Sequence, residues 1–269
     1  MEQDLTVTLL GRLSVTRHPG QRASAPTAPK ERKILALLLL AQGRTVPIST
    51  LAEELWAAAP PRRVAASLQT YVLNIRGRLS RELALPGSWV RDRLVVTSNE
   101  GYRFRTDDCH LDLAEYTRLA DLGEAAAERG DTEDAVRLLR AAENLWCGPV
   151  LPDLEHGLPL RAESVRLEQR QLAVQESRIE GELRLGRHRQ LVSELSMLTL
   201  RHPYHERFHE YLMLALCACG RTVQALEVYQ RLRQSLVGGI GIEPSARIRR
   251  LHEDVLCARV PESAAPGDS

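Results

Sequence analysis

Two stretches of this chain carry residue types at spacings that could do chemistry. The first, His205-Glu206-Arg207-Phe208-His209, spells H-E-x-x-H. On a helix, histidines four residues apart share a face. They can bind zinc together and leave the glutamate as a general base. The second runs from Arg62 to Leu83, RRVAASLQTYVLNIRGRLSREL. Val64, Leu68, Val72, Ile75 and Leu79 fall 4, 4, 3 and 4 residues apart, the stripe of one long helix. Off the stripe stand Arg63, Ser67, Thr70, Asn74, Arg78 and Arg81, with Glu82 the single acid of the segment. Such a front can bond to base edges and phosphates. Arginine reaches guanine or phosphate, asparagine pairs with adenine, and small hydroxyl side chains allow close approach.

The neighbours of the first motif argue against catalysis. Phe208, Tyr211, Leu212, Leu214 and Ala215 make its helix part of a packed array, and Glu227 is the one candidate for a third ligand. The two histidines are expected to be exposed or to face a partner. No Ser/His/Asp set, carboxylate pair or glycine fingerprint supports another enzyme class. Gly238-Gly239-Ile240-Gly241 runs into Ile242-Glu243-Pro244 and not into Lys-Ser/Thr, so it is no P-loop. Neither a catalytic residue, a metal site nor a cofactor is expected.

The elements around the second motif decide its meaning. Leu5 to Leu10 alternates as a strand, Gly11 punctuates it, and Leu13 to Thr16 reads as its hairpin partner. Residues 18–29, with three prolines, are loop. Pro29 opens a helix from about Lys30 to Gln42, apolar nearly all round, that Gly43 ends. Ser49 can cap a short helix from Thr50 to Trp56, and Pro60-Pro61 break the chain before the long basic helix. Two helices joined by a short loop, the second longer and basic, form a helix-turn-helix. Trp89-Val90, then Leu94 to Thr97, read as strand. Ser98 to Gly101 read as a tight turn in which Gly101 supplies a positive φ, and Tyr102 to Arg105 as the returning strand. That hairpin is a wing. Its Arg103 and Arg105 alternate with Tyr102 and Phe104, and Arg91 and Arg93 lie close by.

The charge supports this reading. The net +1 conceals 16 Lys+Arg against 8 Asp+Glu in residues 1–105, and 20 against 27 in the remainder. A basic first part suits a polyanion, and an acidic second part suits a protein-facing domain. A chain of 269 residues, 43% hydrophobic, is expected to form two domains. These are residues 1–106, a winged helix, and residues 110–258, an all-α repeat domain. Residues 106–108 serve as linker and residues 259–269 as a disordered tail. In the second part, Gly186 and Gly220 each open a helix after a small turn, 34 residues apart, which is the tetratricopeptide period. Gly130 shares the motif 56 residues before Gly186, so the array is imperfect. Stacked helix pairs would offer a concave surface to a protein partner. No apolar run approaches the ~18 residues of a membrane span. The N-terminus lacks secretory features, so a cytoplasmic, nucleoid-associated place is expected. The five cysteines are irregularly spaced and are expected to be reduced and mostly buried.

The order of elements resembles the OmpR-type winged helix. Several further stretches extend the likeness: APKERKILALLLLAQGRTV, LAEELW, SLQTYVLNIRGRL, GYRF, LRAAENLWCGPVLPDL, HPYHERFHEYLMLAL and GIEPSARIRRLHEDVL. Together they resemble a small member of the Streptomyces antibiotic regulatory protein family, a winged helix followed by a bacterial transcriptional activator domain. The resemblance implies a pathway-specific activator of an antibiotic gene cluster. It would bind direct repeats near the −35 region of promoter DNA as a homodimer and recruit RNA polymerase through sigma factor region 4 and core subunits. It further implies a polymerase contact in the loop of Trp56, Pro60 and Pro61. The residues expected on DNA are Arg62, Arg63, Ser67, Thr70, Asn74, Arg78, Arg91, Arg93, Arg103 and Arg105. Two protomers would lie about one turn, ~10–11 bp, apart. Where family recognition helices are arginine-rich, this one has Leu73-Asn74 and Gly77. The alternative is a repeat-based adaptor whose winged helix binds protein.

Overall fold

The computed structural model describes residues 5–17, 25–107 and 109–257. Most of the prolyl loop (18–24) and the tail at 259–269 lie outside the described residues. Two compact units emerge, residues 1–121 with 141–172, and residues 122–140 with 173–269. Sequence pattern changes at 106–110, but compaction draws the segment 141–172 into the body of the winged helix.

In the first unit, β1 (Leu5–Thr8) pairs with β2 (Ser14–Thr16) around Gly11. The expected linker leads directly into a strand, β6 (Cys109–Leu111), which pairs in parallel with β1, Leu5 opposite Cys109. The sheet order is therefore β2-β1-β6. Three residues with no strong alternation gave no strand signal of their own, and the β1 edge recruits them. Asp112, starting α5 (Asp112–Glu128), then accepts from the backbone N–H groups of Leu9 and Leu10 at 2.8–2.9 Å. It satisfies amides that β1 leaves unpaired beyond Thr8.

Helix α1 (Pro29–Leu40) buries every residue from Ile34 to Leu40, as its all-round apolarity requires. It stops two residues before the expected Gln42. Gln42 (φ 47°) and Gly43 (φ 82°) both take left-handed conformations, so the turn begins earlier. Helix α2 (Ile48–Trp56) starts directly after β3 (Val46–Pro47), with Pro47 and not Ser49 at its N-cap. Helix α3 (Val64–Glu82) buries Leu68, Val72, Ile75 and Leu79, the foreseen stripe. Arg17 donates to the carbonyls of Leu83 and Ala84 and closes its far end.

Trp89-Val90 is not strand. Residues Gly87–Trp89 form the short helix α4, and Val90–Leu94 a π-helical turn that buries Val90 and Leu94. The wing proper is β4 (Val95–Thr97) against β5 (Gly101–Phe104), and β5 also pairs with β3. Gly101 does not have a positive φ. It is needed because a Cβ there would run into the carbonyl oxygen of Val46 across the β3–β5 ladder.

Residues 141–172 close the unit. Backbone N–H groups of Cys147 and Leu151 donate to the carbonyls of Leu10 and Gly11. Trp146 meets Tyr116 edge-on at 5.5 Å. At the start of α7 (Leu158–Arg184), the buried Glu54 carboxylate of α2 accepts from Gly157 N–H at 2.6 Å and Leu160 N–H at 3.0 Å. Lys33 Nζ stands 3.5 Å away. This is a helix N-terminus capped by a carboxylate from another element.

The regular elements of the second unit are all helices among its described residues. It holds most of α6 (Thr132–Glu143), then α8 (His188–Arg201), α9 (Glu206–Ala218), α10 (Thr222–Ile240) and α11 (Ala246–Leu256). Consecutive helices from α8 to α11 pack on one another. Gly130, Gly186 and Gly220 all turn with φ between 71° and 81°. Arg178, fully buried in α7, is held by Glu182 and Glu194.

The cysteines depart from expectation. None of the five forms a disulfide, but none is buried; Cys147 and Cys257 are exposed and the other three half-exposed.

Candidate nucleic-acid interface

With the apolar stripe of α3 fixed against α1, geometry sends the opposite side outward. A helix turns 100° per residue, so Thr70, Leu73, Asn74, Gly77 and Arg81 fall on that outer side, with Arg63 just ahead of them at the N-cap. All of them are exposed. Ser67 is half-buried on its flank. Thr70 returns its hydroxyl hydrogen to the Ala66 carbonyl at 3.1 Å, leaving its methyl and oxygen lone pairs outward.

The remaining expected contacts divide by their partners. Arg62 and Arg63 lie in the turn before α3, exposed and with no acidic partner among the described residues, and the same holds for Arg81 and Arg93. Arg78 is engaged. Its Nε donates to Glu82 at 2.8 Å and a terminal nitrogen donates to Thr27 Oγ1 at 2.9 Å. Arg91, on the π-helical turn, is paired with Asp92, which raises its already high pKa through the hydrogen bond. Arg105 follows the wing strand and pairs with Asp107 at 2.7 Å. Arg103 shows the expected alternation, half-exposed between the buried Tyr102 and Phe104, although its Nε is enclosed with no partner among the described residues.

Two positioning residues escaped the sequence reading. Arg76 lies on the flank of the stripe. Its Nε donates to the Val95 carbonyl at 2.8 Å and a terminal nitrogen to Thr97 Oγ1 at 2.9 Å, tying wing strand β4 to α3. Partial burial lowers its pKa. Glu31, in the first turn of α1, accepts from Asn74 Nδ2 at 2.8 Å. The signal for Arg76 was its place beside the stripe; Glu31, 43 residues away in sequence, gave none.

In the loop expected to meet polymerase, Trp56 is half-buried. Its ring lies 6.4 Å from that of Tyr71, with the Lys30 ammonium 5.4 Å from its centroid. Pro60 is exposed and Pro61 half-exposed. Ala57 holds φ 46°, ψ −115°, a conformation sparsely used by any residue with a Cβ.

The H-E-x-x-H residues have structural duties, and the histidines are not the exposed groups expected. His205 precedes α9, stacks on Phe208 at 4.3 Å and places Nε2 3.1 Å from Glu176. His209 is buried, its Nδ1 3.1 Å from the His205 carbonyl, and burial lowers its pKa. Glu206 accepts from Ser245 N–H through both oxygens, at 3.0 and 3.1 Å, capping α11. The pattern is thus divided among three packing roles.

Comparison with known proteins agrees with this architecture. Residues 22–104 match the model of "Transcriptional regulatory protein, C terminal", and residues 111–256 that of "Bacterial transcriptional activator domain". The chain is 39% identical to the regulatory protein DnrI of Streptomyces peucetius, over 94% of this chain and 93% of that one. It is 34% identical to the transcriptional regulator RedD of Streptomyces coelicolor, covering 93% and 70%. The regulatory protein AfsR of the same organism is 37% identical, but this chain spans only 22% of its length. A solved structure of Mycobacterium tuberculosis EmbR, in complex with a low-affinity phosphopeptide, superimposes with a TM-score of 0.83 at 30% identity. That likeness covers 95% of this chain and 65% of EmbR. These relatives are regulators and not enzymes, and no helix among the described residues is long and apolar enough to cross a membrane. The winged helix, the helical activator domain and the near full-length match to DnrI together place the chain in the Streptomyces antibiotic regulatory protein family of transcriptional activators.

Proposed function

We propose that this chain is a sequence-specific DNA-binding activator of an antibiotic biosynthetic gene cluster. Helix α3 enters the major groove of promoter DNA, and Arg93 and Arg103 at the wing hold phosphates. Two protomers occupy direct repeats about one turn, ~10–11 bp, apart. The turn from Trp56 to Pro61 then faces RNA polymerase, and the strained Ala57 within it fits a segment held ready for a partner.

One observation carries this reading: among the described residues the outer side of α3 is free of protein cover, and Arg81 on it and Arg63 at its N-cap have no acidic neighbour. A cation left unpaired beside buried packing suits a polyanion that arrives later.

A gel-shift titration on DNA upstream of the cluster, at rising salt, tests it. Binding should weaken steeply with salt, and Arg81→Ala should reduce the slope of log K against log salt by about one. No shift at micromolar protein would favour the adaptor alternative.

A further inference from the structure

One residue on the outer side of α3 is chemically out of place. Leu73 is 67% exposed, on a strip otherwise made of the small or polar residues Ala66, Thr70, Asn74, Gly77 and Arg81. The apolar stripe lies on the opposite side, so no packing among the described residues accounts for a large aliphatic group there. Beside it, Gly77 has no heavy atom within 4 Å of where a Cβ would stand. Glycine inside a helix is unfavourable relative to alanine, and here no crowding among the described residues requires it. Leu73, Asn74, Gly77, Arg78, Arg81 and Glu31 line a shallow recess of about 360 Å³ on this face.

We propose that Leu73 is a base-reading residue that takes the C5-methyl group of a thymine. This rests on the reading of α3 as the helix in the major groove. On that groove's base edges, the thymine methyl is the apolar group, and aliphatic side chains discriminate by covering it. Gly77, one turn on, removes the side chain that would hold the helix away from the base pairs at that level. Asn74 completes the local reader. A carboxylate offers only acceptors, so Glu31 fixes the neighbouring amide with Nδ2 toward it. The second Nδ2 hydrogen and Oδ1 stay available for N7 and N6 of an adenine. Glu31 is a positioning residue for that contact. The helix therefore prefers A·T pairs at the level of Leu73 and Asn74, where an arginine pair would have preferred guanine.

The test removes the methyl group and nothing else. A duplex is selected from a randomised library by the wild-type chain, and each of its thymines is replaced singly by deoxyuridine. In each repeat, one replacement should weaken wild-type binding about fourfold, the worth of one buried methyl. Leu73→Ala, at an exposed position, should melt like the wild type and bind thymine and uracil duplexes equally at that position. Wild-type indifference to uracil at every thymine, or the same uracil penalty in Leu73→Ala, would overturn the assignment. If Arg81→Ala also left affinity and salt slope intact, the groove assignment of α3 would fall, and the leucine contact with it. If Arg81→Ala weakened binding while the uracil scan stayed flat, the leucine contact alone would fall.

Discussion

The Glu54 carboxylate makes the heaviest demand on the first unit. Its side chain is fully enclosed, accepts two backbone N–H groups at the start of α7, and has Lys33 Nζ at 3.5 Å. Glu54→Ala leaves both amides and the lysine without a partner. A hydrogen bond to a charged group contributes about 1.5–3 kcal/mol. Breaking a buried ion pair from one side costs about 3–5 kcal/mol. The two figures overlap because the same carboxylate serves both, so the expected loss is about 3–4 kcal/mol, or a melting point lower by about 10 °C. Glu54→Gln keeps one acceptor oxygen and should lose about half of that. The assay is urea unfolding of the full chain followed by tryptophan fluorescence. Trp56, Trp89 and Trp146 all belong to the first unit, so the signal reports that unit. An alanine variant within about 1 kcal/mol of wild type would refute the view that this carboxylate holds α2 to α7.

Two other outcomes follow from the side-chain network. Arg76→Ala should speed amide exchange in β4 and weaken DNA binding, while the salt slope stays unchanged. Arg76 bonds to Val95 and Thr97, and a slope smaller by about one would instead mean that it touches phosphate. The second outcome concerns pH. Burial lowers the pKa of His188, His202, His209 and His252, so the folded second unit favours their neutral forms. The unfolded chain binds their protons first, so stability is complete above the ordinary histidine pKa and falls as pH drops through it. Urea midpoints by circular dichroism should decline between about pH 7.5 and about pH 5.5, and His209→Gln should flatten the decline. A decline as steep in the variant would remove His209 from the account.

Periodicity made most of the fold legible. The stripe of α3 and the buried run of α1 announced themselves because each is local, with spacing that only one element satisfies. The turn glycines at 186 and 220 did so because a left-handed φ favours that residue. What stayed illegible depended on distant partners. β6 is a strand only because the edge of β1 lies beside it, and Gly101 answers to the Val46 carbonyl rather than to its own φ. The candidate site divides in the same way. The outward placement of Arg63, Thr70 and Asn74 was readable from the helical repeat. Capture of Arg78, Arg91 and Arg105 by Glu82, Asp92 and Asp107 was not, since charge counts do not say which cations are already engaged. His209 shows the converse: the metal-binding pattern was readable as incidental to a packed helix, but the burial of His209 was not, because it depends on neighbouring helices.

The segment 141–172 has a bearing on how such a regulator can be cut and spliced. A gene fusion that grafts residues 1–106 onto a foreign output would strand the Leu9 and Leu10 amides and an enclosed carboxylate at residue 54, and would inherit a crippled reader. A graft that runs on through residue 172 keeps every one of those bonds, because it holds Asp112 as well as Gly157 and Leu160. A protease nick between 122 and 140 would likewise spare them, leaving two fragments that hold each other without a covalent link.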